Sequence, residues 1–544
     1  MSSMPSYLKY ILILVISAVL FLPFLGNVHL FDWDEINFAE CAREMLTTGD
    51  YLRPQVDYQP FWEKPPLFIW MQALSMNLFG VGEYAARFPN ALIGIITLLT
   101  LFYIGKRVAN EKTAMWWTLL YAACWLPHFY FKSGIIDPTF NFLILLAFFQ
   151  VHLLRFSSRK ILHAALAGLF LGLAVLTKGP VAILVALLCF TVYVILNKGI
   201  WGYKIPHLLV ITLIAAATFF LWIAAAILVH GWDYGTWFLD SFIKYQIKLF
   251  STEDAGHGGP FFYHVIVLLL GCFPASIFLF QYSRSRTTNA EPARDFTKWM
   301  WILFSVVLIL FSIVKTKIVH YSSMCYFPLT YLAALKIYQL QSTGLKLKSW
   351  IRLLFLIVGI IFAVIFIALP VAGVNIKEIA AHINDPVAVA DMQAAVSWHW
   401  SEALWGLLYF VAIVFAFILI NKDLRKALLI LCVAQIVIAQ VLILHFTPKI
   451  EAYSQRPGIE YYKSFVGQDV YVYPLGFHSY AHLFYTKKAP TVNTKPVDRY
   501  SLPGLALDKP TFYVCRVNKA AEFRSNPDLI EIGSKNSFIF FRRK

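Results

Sequence analysis

Two charged clusters bracket one short stretch between long apolar runs. Asp32-Trp33-Asp34-Glu35 opens it and Glu63-Lys64-Pro65-Pro66 closes it. Ionisable side chains held beside apolar segments mark a functional site by default. A positioned carboxylate can take a proton from a hydroxyl. An ammonium can hold a phosphate oxygen by a charge-assisted hydrogen bond. Later stretches add groups of the same kinds: Lys132 with Asp137-Pro138, then Thr177-Lys178-Gly179-Pro180, then Lys315-Thr316-Lys317-Ile318-Val319-His320-Tyr321. His257 stands in the Gly-rich run His257-Gly258-Gly259-Pro260-Phe261-Phe262-Tyr263. Plainer roles exist for most of them. Asp34 and Asp137 stand where helix N-caps belong, and Glu35 suits the positive end of a helix. Lys64 can snorkel from an interface, Lys178 can end a helix, and His257 can be a solvated loop residue. Snorkelling accounts less well for Lys315, Lys317, His320 and Tyr321 together, all of which can donate to phosphate oxygens.

These groups need a scaffold, and composition dictates its class. With 59% hydrophobic and 14% charged residues, and a mean hydropathy of +0.65, the chain is a polytopic α-helical membrane protein. Runs of about 20 apolar residues give about thirteen transmembrane spans. They lie near 8–26, 88–105, 113–130, 138–155, 161–177, 180–197, 206–230, 261–283, 299–314, 321–340, 350–373, 402–421 and 425–446. The first is a retained helix, since no small-residue cleavage site precedes the loop at Asp32. Basic residues cluster in alternate connections: Lys106, Arg107 and Lys112; Arg155, Arg159 and Lys160; Lys198 and Lys204; Arg284, Arg286, Arg294 and Lys298; Lys346, Lys348 and Arg352; Lys422, Arg425 and Lys426. The positive-inside rule places these, and the N-terminus, in the cytoplasm. The 32–66 loop, the 231–260 segment and the C-terminal tail then face outward. Most of the net charge of +16 is this bias, and no nucleic-acid-binding module accompanies it.

The outward loop reads as two juxtamembrane helices. The first, from Ile36 to Leu46, sets Ala39, Ala42, Met45 and Leu46 on one face and Glu40, Arg43 and Glu44 on the other. Gly49-Asp50 ends it, and Pro65-Pro66 starts the second, from Leu67 to Phe79. Trp232, Tyr234, Trp237, Phe238 and Phe242 suit a further helix lying in the interface. Residues 1–446 form the transmembrane unit. Residues 447–544 form a small outward α/β domain, with strands at Asp469 to Tyr473, Thr511 to Val517 and Ser537 to Phe541 and a short helix at Tyr480 to Thr486. Cys41 and Cys515 both face outward and can form a disulfide, which the sequence does not establish.

Four sub-motifs in order and spacing tie the first loop to a known one: Asp34-Glu35-x-x-Phe38-Ala39-Glu40-x-x-Arg43-Glu44-Met45, Gly49-Asp50-Tyr51, Glu63-Lys64-Pro65-Pro66-Leu67, and Gly80-x-x-Glu83-x-x-x-Arg87. This pattern resembles the polyprenyl-phosphate-sugar glycosyltransferases, which include protein O-mannosyltransferases. Its nearest match is the branch of lipid A aminoarabinose transferases. The resemblance implies the GT-C membrane fold, with a periplasmic active site on a bacterial inner membrane. It implies transfer of a sugar from polyprenyl (undecaprenyl) phosphate to lipid A or a related cell-envelope glycan. Asp34, Glu35 and Asp137 then become catalytic candidates, and Lys64, Lys178, Lys317 and Tyr321 candidates for the donor phosphate. Thr316, Lys317 and Tyr321 match the family's Ser-Lys-Leu-Pro-x-Tyr, with Val319 in place of Pro. The resemblance also implies a zinc ion between Glu63 and His257, although two protein ligands are fewer than the usual three or four. Where that branch carries Arg-Tyr, this chain has Asn37-Phe38, so the expected acceptor depends less on phosphate recognition. No GxxxxGK[ST] loop is present, in keeping with a donor that needs no nucleotide. Alternatives are a protein acceptor or, outside enzymes, a lipid-linked-sugar transporter. A transporter site belongs at the bilayer midplane, often between inverted repeats, whereas these polar groups gather at one surface.

Overall fold

The structure is a computed structural model that describes residues 4–199, 202–251, 258–281, 290–490 and 508–544. His257 lies outside the described residues. Eight helices among the described residues are long and apolar enough to cross a membrane: Glu83–Val108, Asp137–Phe156, Lys160–Lys178, Ile205–His230, Glu291–Ile313, Ser349–Val374, Trp400–Leu419 and Leu424–Tyr453. Other expected spans form shorter or broken helices. Residues 113–130 divide into Glu111–Ala123 and Trp125–Tyr130, and residues 261–283 contain Tyr263–Gly271 and Ala275–Phe278. Cys124, Cys272 and Pro274 stand at these breaks. One apolar core runs through the bundle, built around Trp117, Phe131, Trp299, Tyr326 and Tyr331.

The first juxtamembrane helix spans Asp34–Thr48, ending at Gly49 with φ of 73°, a left-handed conformation that favours glycine. Its charged face does not meet water. Glu40 and Glu44 are fully buried and Arg43 is nearly so. Burial is tolerated because the charges pair. Arg43 donates from Nε and Nη2 to the two Glu40 oxygens, each at 2.7 Å. Glu44 accepts from the Tyr58 amide at 2.8 Å. Tyr58 belongs to a hairpin absent from the sequence reading, Gln55–Val56 against Gln59–Pro60. Asp57 and Tyr58 both have positive φ, the geometry of a tight primed turn. Two helices follow directly, Leu67–Phe79 and the membrane helix from Glu83.

The C-terminal unit sits over this loop. Its sheet runs Tyr471–Leu475, Thr511–Arg516, Phe538–Arg543, Leu529–Lys535, with the first pair parallel and the others antiparallel. Ile36, Ala39, Ala42 and Met45 of the loop helix share a core with Ile459, Tyr462, Phe484 and Phe538. Polar contacts lock the two together: Lys488 to Asp57 at 2.5 Å, and the Tyr485 hydroxyl taking the Leu30 amide at 2.7 Å. Cys41 and Cys515 are both free buried thiols in separate clusters, so the disulfide does not form.

Candidate active site where helix ends meet

Helix termini expose unsatisfied backbone groups and set side chains at a fixed height. Here several termini meet. Asp34 is the first residue of its helix, Asp137 opens Asp137–Phe156, and Lys178 closes Lys160–Lys178. His320 and Tyr321 lie on the 3-10 turn Val319–Cys325. Together with Lys64, these side chains line one cavity of about 140 Å³. Ile136, Val181, Phe311, Val314 and Ile318 supply its apolar walls, and Tyr245 and Gln246 complete it. Neither aspartate caps its helix by a side-chain hydrogen bond. The capping role therefore does not account for either.

Each group has a distinct setting. Asp34 is 40% exposed, and one oxygen lies 3.8 Å from His320 Nε2. Asp137 is buried and pairs with Lys178 at 2.5 Å through Oδ1, while Oδ2 has no hydrogen-bond partner among the described residues. The Lys178 ammonium also stands 5.7 Å from the Phe140 ring centre and 5.8 Å from that of Tyr321, close enough for cation–π attraction. The Lys64 ammonium lies 5.2 Å from the Tyr245 ring centre. The Tyr245 hydroxyl donates to Glu63 at 3.3 Å, so one tyrosine holds both residues. Burial pushes the His320 imidazole below its ordinary pKa; Asp137 and Asp34 oppose that, while Lys178 and Lys64 add to it. His320 is thus a neutral imidazole near pH 7.

Two expected site residues are placed elsewhere. Glu35 faces away from the cavity. Its carboxylate takes Arg87 Nε at 3.0 Å and Nη2 at 2.8 Å, the Phe31 amide at 2.9 Å and the Gly134 amide. That is a structural junction between the first loop and the N-terminal end of Glu83–Val108. Lys317 is also turned inward. Its ammonium donates to the carbonyls of Phe311, Ser312 and Val314 at 3.1, 2.7 and 2.5 Å. These are carbonyls at the end of the helix Glu291–Ile313, so Lys317 closes a helix C-terminus. Asn37, where the similar branch has Arg, is buried and is not among the residues that line the cavity. Glu63 with His257 would give a metal two protein donors. Among the described residues no group of three or more His, Cys, Asp or Glu is placed to hold one.

The sequence reading passed over Tyr245 and Gln246, which sit in a helix selected only for its interfacial aromatics. A period of 3.6 residues puts them one turn beyond Phe242. Nothing in the sequence says that this face meets Lys64.

The profile of the family described as dolichyl-phosphate-mannose-protein mannosyltransferase matches residues 63–222. The undecaprenyl phosphate-alpha-4-amino-4-deoxy-L-arabinose arabinosyl transferase of Pectobacterium carotovorum is 27% identical over 390 residues, covering 70% of this chain and 67% of that protein. Its counterpart of the same name in Photorhabdus laumondii is 29% identical over 321 residues, 58% of this chain and 56% of the relative. Among solved structures, ArnT from Cupriavidus metallidurans bound to undecaprenyl phosphate has the same fold. The TM-score is 0.74 over 99% of this chain and 98% of that one, at 17% identity.

Proposed function

We propose that the chain is a polyprenyl-phosphate-sugar glycosyltransferase, similar to the aminoarabinose transferases, that moves a sugar from undecaprenyl phosphate to a lipid acceptor such as lipid A or a related cell-envelope glycan. One observation supports this above others: a single cavity gathers two carboxylates, two ammonium groups, a neutral imidazole and two phenols where helix ends meet. That set matches what the reaction demands. As the bond from the anomeric carbon to the phosphate oxygen breaks, its electron pair goes to the phosphate, and Lys64, Lys178 and Tyr321 stabilise the charge. The acceptor oxygen attacks the same carbon from the opposite side, so the configuration inverts. Asp34 takes the proton if the acceptor is a hydroxyl. If the acceptor is a phosphate, it is already anionic and Asp34 orients it. Asp137 holds Lys178 in place and offers its second oxygen to the site.

In this reading the chain crosses the bacterial cytoplasmic membrane about thirteen times, at roughly 20 residues per span. The N-terminus is cytoplasmic, the site is periplasmic, and residues 447–544 form a periplasmic domain. Glu63 and His257 remain a proposed zinc pair, and the transfer steps rest on organic side chains alone. The test is direct. Purified protein is incubated with polyprenyl-phosphate sugars and with lipid A, other envelope glycolipids and a hydroxyl-bearing peptide, and the products are weighed. A lipid acceptor gaining one sugar mass, with release of undecaprenyl phosphate, is the expected result. Transfer to the peptide alone would replace the lipid acceptor with a protein one.

A further inference from the structure

Trp33 is an aromatic residue between two carboxylates that face different parts of the protein. Asp32 accepts from the Ser479 hydroxyl and from the Tyr480 amide at 3.4 Å, on the C-terminal unit. Asp34 lines the cavity. Trp33 itself is 46% exposed. His478 stacks on it with ring centres 5.2 Å apart and planes 23° apart, and Tyr480 meets it edge-on at 5.8 Å. Among the described residues nothing bonds the indole N–H.

We propose that Trp33, backed by His478 and Tyr480, is the platform on which a sugar ring of the acceptor rests. This builds on the reading of the chain as a glycosyltransferase. Large exposed aromatic surface that is held rigid, with a polar handle, is binding surface. A sugar ring presents a face of C–H bonds, weakly positive, to the negative face of an indole, and its hydroxyls can take the indole N–H. An interface anchor is the other common use of an exposed Trp. Here, however, the rings against Trp33 come from the loop after the strand Tyr471–Leu475, which belongs to the α/β unit and not to a membrane helix. Place in the reaction distinguishes acceptor from donor. The donor phosphate belongs with Lys64 and Lys178 between apolar walls. The reacting acceptor group must lie against Asp34, and Trp33, exposed beside the cavity lining, directly precedes Asp34 in the chain. The C-terminal unit thereby contributes to choice of acceptor through His478 and Tyr480.

The experiment uses the full chain in lipid nanodiscs. Acceptor and donor KM are measured separately with lipid A as acceptor, and binding of the glucosamine disaccharide, free of acyl chains, is measured by calorimetry. Trp33→Leu keeps an apolar side chain but no ring. It should raise acceptor KM about three- to tenfold, the effect of one lost aromatic contact, and leave donor KM alone. His478→Ala should do the same to a smaller extent, and Trp33→Phe should restore most of the affinity. The disaccharide should bind wild type and not Trp33→Leu. Unchanged acceptor KM in Trp33→Leu, or a rise in donor KM instead, overturns the platform. If wild type transfers sugar to no lipid, the lipid-acceptor reading fails, while ring-dependent disaccharide binding would still uphold a sugar site here. Absence of both overturns the two together.

Discussion

Replacing Glu35 by Gln separates structure from chemistry at the residue beside Asp34. The two were equivalent as carboxylates in sequence, and their settings differ completely. Glu35 is 4% exposed and accepts two bonds from Arg87 and two from backbone amides. Arg87 in turn donates to the carbonyls of Leu25, Val28 and His29 at 2.8, 2.8 and 2.9 Å. The pair therefore clamps the segment from Leu25 to His29, which follows the helix Ser6–Phe21, to the first loop and to Gly134. Gln keeps the shape but removes the charge, leaves Arg87 buried without its counter-ion, and turns an N–H₂ toward a donor. Breaking a buried pair in this way costs about 3–5 kcal/mol. The pH sign is fixed by the setting. Burial pushes the Glu35 carboxyl up, but Arg87 and the two amides more than offset this and hold it below its ordinary value. Its stabilising contribution is thus present in full above the unfolded-state value, about 4.3 for glutamate, and is lost as pH falls through the depressed folded value. Thermal melting in nanodiscs at pH 7 should show Glu35→Gln markedly less stable. Its cost and that of Arg87→Gln should not add in the double variant, because both remove the same pair. Well below its melting point, Glu35→Gln should turn over within a few fold of wild type. A variant that melts like wild type but loses about 10²-fold or more in turnover would make Glu35 a catalytic acid or base and refute the assignment.

Asp34→Asn should cost about 10²–10⁴ in turnover and keep donor affinity, checked by steady-state kinetics beside undecaprenyl-phosphate binding. Lys64→Ala should instead weaken donor binding by roughly 1.5–3 kcal/mol, about ten- to 150-fold, the worth of one charge-assisted hydrogen bond. Burial first, then Lys178 and Lys64, keep His320 neutral, so protonation below its ordinary value of about 6.5 would pair it with Asp34 and withdraw the base. Wild-type activity should therefore fall on an acid limb below that pH, and His320→Gln should flatten it. Cysteines at Gln59 and Lys346 should be labelled by membrane-impermeant reagents from opposite sides. The seven native cysteines are buried and need no removal.

What the sequence displayed, and what it concealed, follows from how far each interaction reaches along the chain. Apolar runs and basic connections are local, and they placed the helices that meet at the cavity. Helix breaks are less visible, because an apolar run continues through Cys272-Phe273-Pro274 while the backbone turns there. The strand Leu529–Lys535 was missed because four of its seven residues are polar or Gly and six are exposed. The hairpin at Asp57-Tyr58 lacks the Asn-Gly or Asp-Gly signal. Side-chain direction was the hardest to read. Successive residues on a helix point about 100° apart, so Asp34 turns to the cavity and Glu35 to Arg87. Only Arg87, 52 positions away, decides which is which.

The lysines divide in the same way. Lys178 and Lys317 each stand at a helix end beside the cavity, and by sequence each could hold phosphate. Lys317 sits four residues beyond Ile313, close enough to fold back on three orphan carbonyls, which use all three of its ammonium hydrogens. Lys178 is the last residue of its own helix, and its partner is Asp137 across the cavity. One carboxylate oxygen satisfies only part of an ammonium's three-donor capacity. What remains can turn to a phosphate in the same cavity, while Asp137 fixes the side chain beforehand. An ammonium already satisfied by backbone cannot do this without unmaking a helix terminus. A lysine in such a site is therefore identified less by its motif than by what its hydrogens already hold, and on that ground Lys64 and Lys178, not Lys317, are the cations that face the donor.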